Sequence, residues 1–209
     1  MDGSRRHLSL LRSYTAADAF TIGNAACGTI ALFLCLEYLA EREVRHLWIA
    51  LALLPLALVC DVLDGYVARL DRRRQSWLGA DLDSLADVIS FGVAPAVLGY
   101  TLGLRGGWDI LILTYFVVCG VSRLARFNVT SATLADVTTG KVRYFEGTPI
   151  PTSVLIVALL AVALGTGHVH DGLWFGATSI AGAGWHPLSL VYAASGSAMI
   201  SATLRIPKP

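Results

Sequence analysis

The stretch Cys60-Asp61-Val62-Leu63-Asp64-Gly65-Tyr66-Val67-Ala68-Arg69, followed by Gly79-Ala80-Asp81-Leu82-Asp83-Ser84-Leu85-Ala86-Asp87, sets carboxylates at the ends of two apolar runs. An ionised side chain at mid-bilayer costs about 2.5–3.5 kcal/mol even on insertion scales. Four acids near one depth therefore require a compensating cation. On a helix Asp61, Asp64, Gly65 and Ala68 recur at i, i+3, i+4 and i+7 and form one stripe, while Gly79, Asp83 and Asp87 recur at i, i+4 and i+8 and form another. Consecutive helices joined by a short loop are normally antiparallel neighbours, so the stripes can face each other. Facing carboxylates repel, and hard divalent ions neutralise them economically. Two such ions about 3.5–4 Å apart form a clamp for in-line displacement at phosphorus. Gly65, Ala68 and Gly79 leave the stripes open to a bulky ligand. The plainer reading, in which the acids cap helix ends and pair with Arg69 and Arg72–Arg74, suits one or two acids but not four on two stripes.

Outward from these runs the composition is that of a membrane protein. Of 209 residues 55% are hydrophobic and 15% charged, against about 25% charged in soluble domains, and the mean hydropathy is +0.63. Apolar runs of about twenty residues span a bilayer as helices, and six stand out, roughly 18–40, 46–68, 83–104, 108–127, 150–168 and 186–204. The expected fold is therefore all-α and polytopic, with an interfacial segment at 1–17 and a six-helix membrane domain at 18–205. The first run reads as a span and not a signal peptide, because further spans follow it. With the N-terminus inside, 13 of the 16 basic residues fall on the cytoplasmic side and only Arg42, Arg45 and Arg105 outside. The positive-inside rule then places both termini, and the acids, at the cytoplasmic face of a cell membrane. A net charge of +1 gives no bulk basic field for nucleic acid. Cys27, Cys35, Cys60 and Cys119 read as small apolar side chains. His168, His170, Asp171 and His186 lie across the membrane from the acids and read as an exposed polar loop.

Arg123 and Arg126 stand i, i+3 at the inner end of the fourth run. One arginine there snorkels to headgroups; two on one face, level with the acids, suit an anionic acceptor, since guanidinium forks pair bidentately with carboxylate or phosphate. Lys141 and Arg143 in the next loop read as solvated.

The acid pattern resembles the signature of the CDP-alcohol phosphotransferase family, D-x2-D-G-x2-A-R, a spacer, then G-x3-D-x3-D, on Asp61, Asp64, Gly65, Ala68, Arg69, Gly79, Asp83 and Asp87. Nine residues separate Arg69 from Gly79 where that family usually has eight, and Ala17-Asp18 precedes Thr21 where many members carry Pro-Asn. The stretches DSLADVISFGVAPA (83–96), CGVSRLARFN (119–128) and Gly147–Pro151 are similar to the phosphatidylserine synthase branch. The resemblance implies six transmembrane helices and two divalent cations, Mg²⁺ or Mn²⁺, on Asp61, Asp64, Asp83 and Asp87. It also implies Asp87 as general base, and Gly65, Ala68, Arg69 and Gly79 around the cytidine diphosphate. The acceptor is expected to be serine, its carboxylate on Arg126 helped by Arg123, the donor CDP-diacylglycerol, and the assembly a homodimer. Inositol phosphate or glycerol phosphate as acceptor is the alternative within the family. An ion transporter using intramembrane carboxylates is the alternative outside it, although a transporter wants acids near the midplane and broken helices.

Overall fold

The computed structural model describes residues 16–70, 77–135, 144–201 and 205–207. The interfacial segment before residue 16, the run Arg72–Arg74, Lys141, Arg143 and the side chain of Arg69 lie outside the described residues. Those described are mostly helical: α1 (Ala16–Glu41), α2 (Val44–Leu70), α3 (Trp77–Asp87), a π-helical stretch Val88–Val93, α4 (Ala94–Leu102), α5 (Gly107–Ala135), α6 (Val154–Gly165) and α7 (Leu190–Ile200). Four units are long and apolar enough to cross a membrane, namely Ala17–Glu41, Val44–Ala68, Gly79–Leu102 and Gly107–Val129; Ile150–Gly165 and Pro187–Ile200 are shorter. Each expected run thus contains a helix, but among the described residues four and not six reach spanning length. Past the expected end at 127, α5 continues to Ala135; there Asn128 exchanges hydrogen bonds of 3.0 and 3.1 Å with Ser84 of α3.

Two antiparallel ribbons depart from the all-α expectation. β1 (Tyr144–Glu146) pairs with β4 (Arg205–Pro207), Phe145 opposite Ile206, and β2 (Thr178–Ile180) pairs with β3 (Ala183–Trp185). The second ribbon turns through Ala181 and Gly182, both at positive φ (52° and 81°), the conformation that a two-residue hairpin requires.

One face of α1 is buried along its whole length, through Asp18, Thr21, Asn24, Ala31, Cys35 and Tyr38, while Ile22, Ile30, Phe33 and Leu36 on the other side are exposed. That spacing of three and four residues makes a seam, polar at its start and apolar beyond. Gly28 in the seam touches the π-helical stretch so closely that a Cβ would stand 2.8 Å from Ser90 Cα. The π turn has a local cause. Pro95 lacks an N–H and its ring crowds the carbonyl four residues back, which belongs to Phe91; the helix widens, and Ala94 N–H reaches Ile89 O five residues back. The carbonyl of Pro95 accepts a buried hydrogen bond from the Tyr192 hydroxyl of α7 at 2.8 Å. Along α7, Gly196 would place a Cβ 3.2 Å from Phe116 Cα, and Ser197 meets the Tyr115 hydroxyl at 3.0 Å. Gly196 and Ser197 of α7 are therefore engaged with α5 of the same chain.

At the far end of the bundle, read from the sequence as an exposed polar loop, His168 and Asp171 are exposed as expected, whereas His170 and His186 are half-buried in a folded lobe. Asp109, fully buried in the first turn of α5, accepts hydrogen bonds from Gly106 N at 2.8 Å and His186 N at 2.9 Å, and faces His186 Nδ1 at 2.6 Å. The Trp108 indole donates to Ile180 O at 2.9 Å. His170 meets the Tyr38 hydroxyl at 2.7 Å. Burial, then the charges of Arg105 and Arg42, holds the His170 imidazolium below the ordinary histidine range, against the opposing pull of Asp171. An unfolded chain therefore takes up this proton before the folded one does, and stability is lost as pH falls through about 6.5. The melting temperature is expected to drop between pH 7.5 and 5.5, and less steeply in His170→Asn, where asparagine tolerates the positive φ of 53°. Equal slopes would exclude His170 as the source.

Candidate active site

The helix ends that carry the acids meet at one end of the bundle. α2 arrives there with its last turns and α3 leaves with its first, so the two stripes face each other and the start of α1. Within α2, Asp61, Asp64, Gly65 and Ala68 are half-buried, whereas Val62, Leu63 and Tyr66 are exposed. Within α3, Asp83 is half-buried and Asp87 buried, whereas Ala80, Asp81 and Leu85 are exposed. The helical phase read from the sequence is the phase the chain adopts.

Carboxylate oxygens of Asp61, Asp83 and Asp87 all lie within 4.8 Å of one another. Asp87 is 5% exposed, and Oδ1 of Asp83 is buried with no hydrogen-bond partner. Like charges at this separation and burial are unfavourable alone. An orphaned carboxylate oxygen among three convergent oxygen donors fits a hard divalent cation. Asp64, on the same stripe as Asp61, accepts a hydrogen bond from the Thr21 hydroxyl of α1.

α1 supplies residues that the sequence reading did not assign to the site. Asn24 donates from Nδ2 to Asp87 Oδ1 at 3.1 Å, and its carbonyl accepts from Ser90 Oγ at 2.8 Å. Asp18 is buried, and a Cβ on Gly79 would lie 3.3 Å from its Oδ1. The available signal was polar residues at i, i+3 and i+6 (Asp18, Thr21, Asn24) on an otherwise apolar helix. Thr21 and Asn24 carry no charge, so unlike carboxylates in an apolar run they demand no counter-ion, and Asp18 at the start of the run reads as an ordinary first-turn acid.

From α5, Arg123 is half-buried and near enough to feel the charge of Asp87. Its Nε donates to Thr148 O at 2.8 Å and its guanidinium lies over the Phe127 ring at 5.8 Å, leaving the two terminal amino groups as its remaining donors. Arg126, one turn further on, is exposed.

The profile of the CDP-alcohol phosphatidyltransferase family matches residues 14–191. The chain belongs to that family. It is 42% identical over 205 residues to a Saccharomyces cerevisiae protein named CDP-diacylglycerol–serine O-phosphatidyltransferase, covering 97% of this chain and 74% of the yeast one. It is 36% identical over 143 residues to the archaetidylserine synthase of Methanothermobacter thermautotrophicus, 68% of this chain and 55% of that one. With a CDP-diacylglycerol–serine O-phosphatidyltransferase of Helicobacter pylori it shares 33% over 164 residues, 76% and 62% of the two chains. It thus spans less than two thirds of the archaeal and Helicobacter relatives.

Proposed function

We propose that this chain transfers a phosphatidyl group from CDP-diacylglycerol to the hydroxyl of serine, releasing CMP and forming phosphatidylserine. The observation that carries the reading is the convergence of Asp61, Asp83 and Asp87 oxygens within 4.8 Å at one end of the bundle. The acceptor rests on relatives whose names specify serine. Divalent cations, Mg²⁺ or Mn²⁺ and two in number, held by Asp61, Asp64, Asp83 and Asp87, would offset the diphosphate charge and that developing on phosphorus. Gly65, Ala68, Arg69 and Gly79 border the cytidine diphosphate. Asp87 takes the serine hydroxyl proton as the oxygen attacks the lipid-side phosphorus and the bond to CMP breaks. No serine or cysteine nucleophile with an adjacent base enters the scheme, so transfer is direct. Arg126, with the remaining donors of Arg123, holds the serine carboxylate.

The rest of the proposal concerns placement. Residues 18–205 form one membrane domain after an interfacial segment at 1–17. The 12-residue α6 covers about 18 Å of a roughly 30 Å core; with the turn before it, and with α7 and its own leading turn, it completes six crossings. Both termini and the acids face the cytoplasm, supported by the distribution of basic residues. The homodimer rests on the family resemblance alone.

The test presents purified protein with CDP-diacylglycerol and Mn²⁺ or Mg²⁺, offers serine, inositol phosphate or glycerol phosphate, and follows CMP. Release with serine alone is the expected result, and release only with a phosphorylated acceptor would reassign the substrate. Arg126→Ala is expected to raise the serine KM about tenfold or more, as loss of a charge-assisted hydrogen bond of roughly 1.5–3 kcal/mol implies, with the donor KM little changed. An unaltered serine KM would remove Arg126 from the acceptor site.

A further inference from the structure

Asn24 lies on neither acid-bearing helix and has no charge, yet it is 0% exposed and joined to Asp87 by the 3.1 Å hydrogen bond from its amide nitrogen. Its own Oδ1 is buried with no hydrogen-bond partner. A buried amide whose oxygen has no partner forfeits the hydration of that oxygen without compensation, so the residue is a poor choice for packing alone. Turning the amide over would set its oxygen against the Asp87 oxygen, two acceptors face to face, so the observed orientation is the only workable one. The backbone at this position is also fixed, because Ser90 Oγ donates to Asn24 O and Gly28, one turn on, seats α1 directly against Ser90.

We infer that Asn24 is a positioning residue: its amide fixes the plane of the Asp87 carboxylate so that this group faces Asp61 and Asp83, and thereby sets both the affinity of the trio for a divalent cation and the rate of transfer. The inference rests on the reaction proposed above. Hydrogen-bonded partners of ligating carboxylates commonly govern metal affinity or activity by 10–100-fold.

The experiment compares the full chain with Asn24→Leu, Asn24→Ser and Asn24→Gln. Mn²⁺ binding is titrated by electron paramagnetic resonance without lipid or serine; kcat, both KM values and melting temperature follow. Asn24→Leu is expected to weaken Mn²⁺ binding about 10–100-fold and to lower kcat, with both KM values within about threefold. Ser or Gln, which restore a donor, are expected to recover part of each loss. Wild-type Mn²⁺ affinity and kcat in Asn24→Leu would overturn the inference. So would losses that track melting temperature whether or not a donor is present, and so would a wild type that binds no Mn²⁺. A wild type that binds Mn²⁺ but releases no CMP would refute the proposed reaction while leaving the binding comparison intact.

Discussion

Asp87→Asn is expected to abolish turnover, lowering kcat by about 10³-fold or more, within the range that general-base catalysis supplies, while CDP-lipid binding persists. The fold should survive, because an asparagine at 87 keeps the shape of the side chain and an oxygen able to accept the Asn24 amide. What it loses is the basic oxygen proposed to take the hydroxyl proton and one anionic donor among the three carboxylates gathered within 4.8 Å. The check is kcat beside an equilibrium titration of the CDP-lipid. Substantial activity in the variant would end the role given to Asp87.

Gly28→Val is expected to be nearly as damaging without touching a reacting atom. A Cβ there meets Ser90 Cα at 2.8 Å, and backbone cannot swing aside as a side-chain tip can. α1 must back away from the π-helical stretch, at a stability cost of about 1–3 kcal/mol for an overpacked contact. Asn24 and Thr21, one and two turns earlier, move with it and release Asp87 and Asp64. Displacements near 1 Å at a reacting centre cost about 10²-fold, so kcat should fall far more than the melting temperature alone would suggest. Undiminished kcat beside a lowered melting temperature would show that the seam of α1 serves stability only.

The aspartates were legible in the sequence because charge inside an apolar run is costly and helical spacing has a fixed phase: Asp61 and Asp64 predicted one inward face, Asp83 and Asp87 another, and the exposure of Val62, Tyr66 and Leu85 agrees. The positions of the apolar runs were legible for the same reason, since each needs its backbone hydrogen bonds satisfied internally, although among the described residues only four give units of spanning length. Asn24 and Thr21 were not, because their roles depend on which helix packs against the acids, a tertiary fact. The π turn was missed although Pro95 announces it, because hydropathy does not register a one-residue change of phase. The far-end hairpin was missed because its strands are three residues long and its signal is the Ala181-Gly182 turn alone. Arg123 and Arg126 read alike as i, i+3 neighbours, but only Arg123 is half-buried, since Thr148 offers its carbonyl on that side.

The lobe at the far end has a consequence for biosynthesis. Asp109 ends fully enclosed, and its principal partner, His186, lies 77 residues later in the chain. At elongation rates of about 5–20 residues per second, the carboxylate waits roughly 4–15 seconds on the ribosome's clock, hydrated and bound only to its own helix start, before the imidazole that closes over it has been made. Until then α5 has an unfinished outer end, and final seating of the bundle is a late event set by the arrival of the last hairpin.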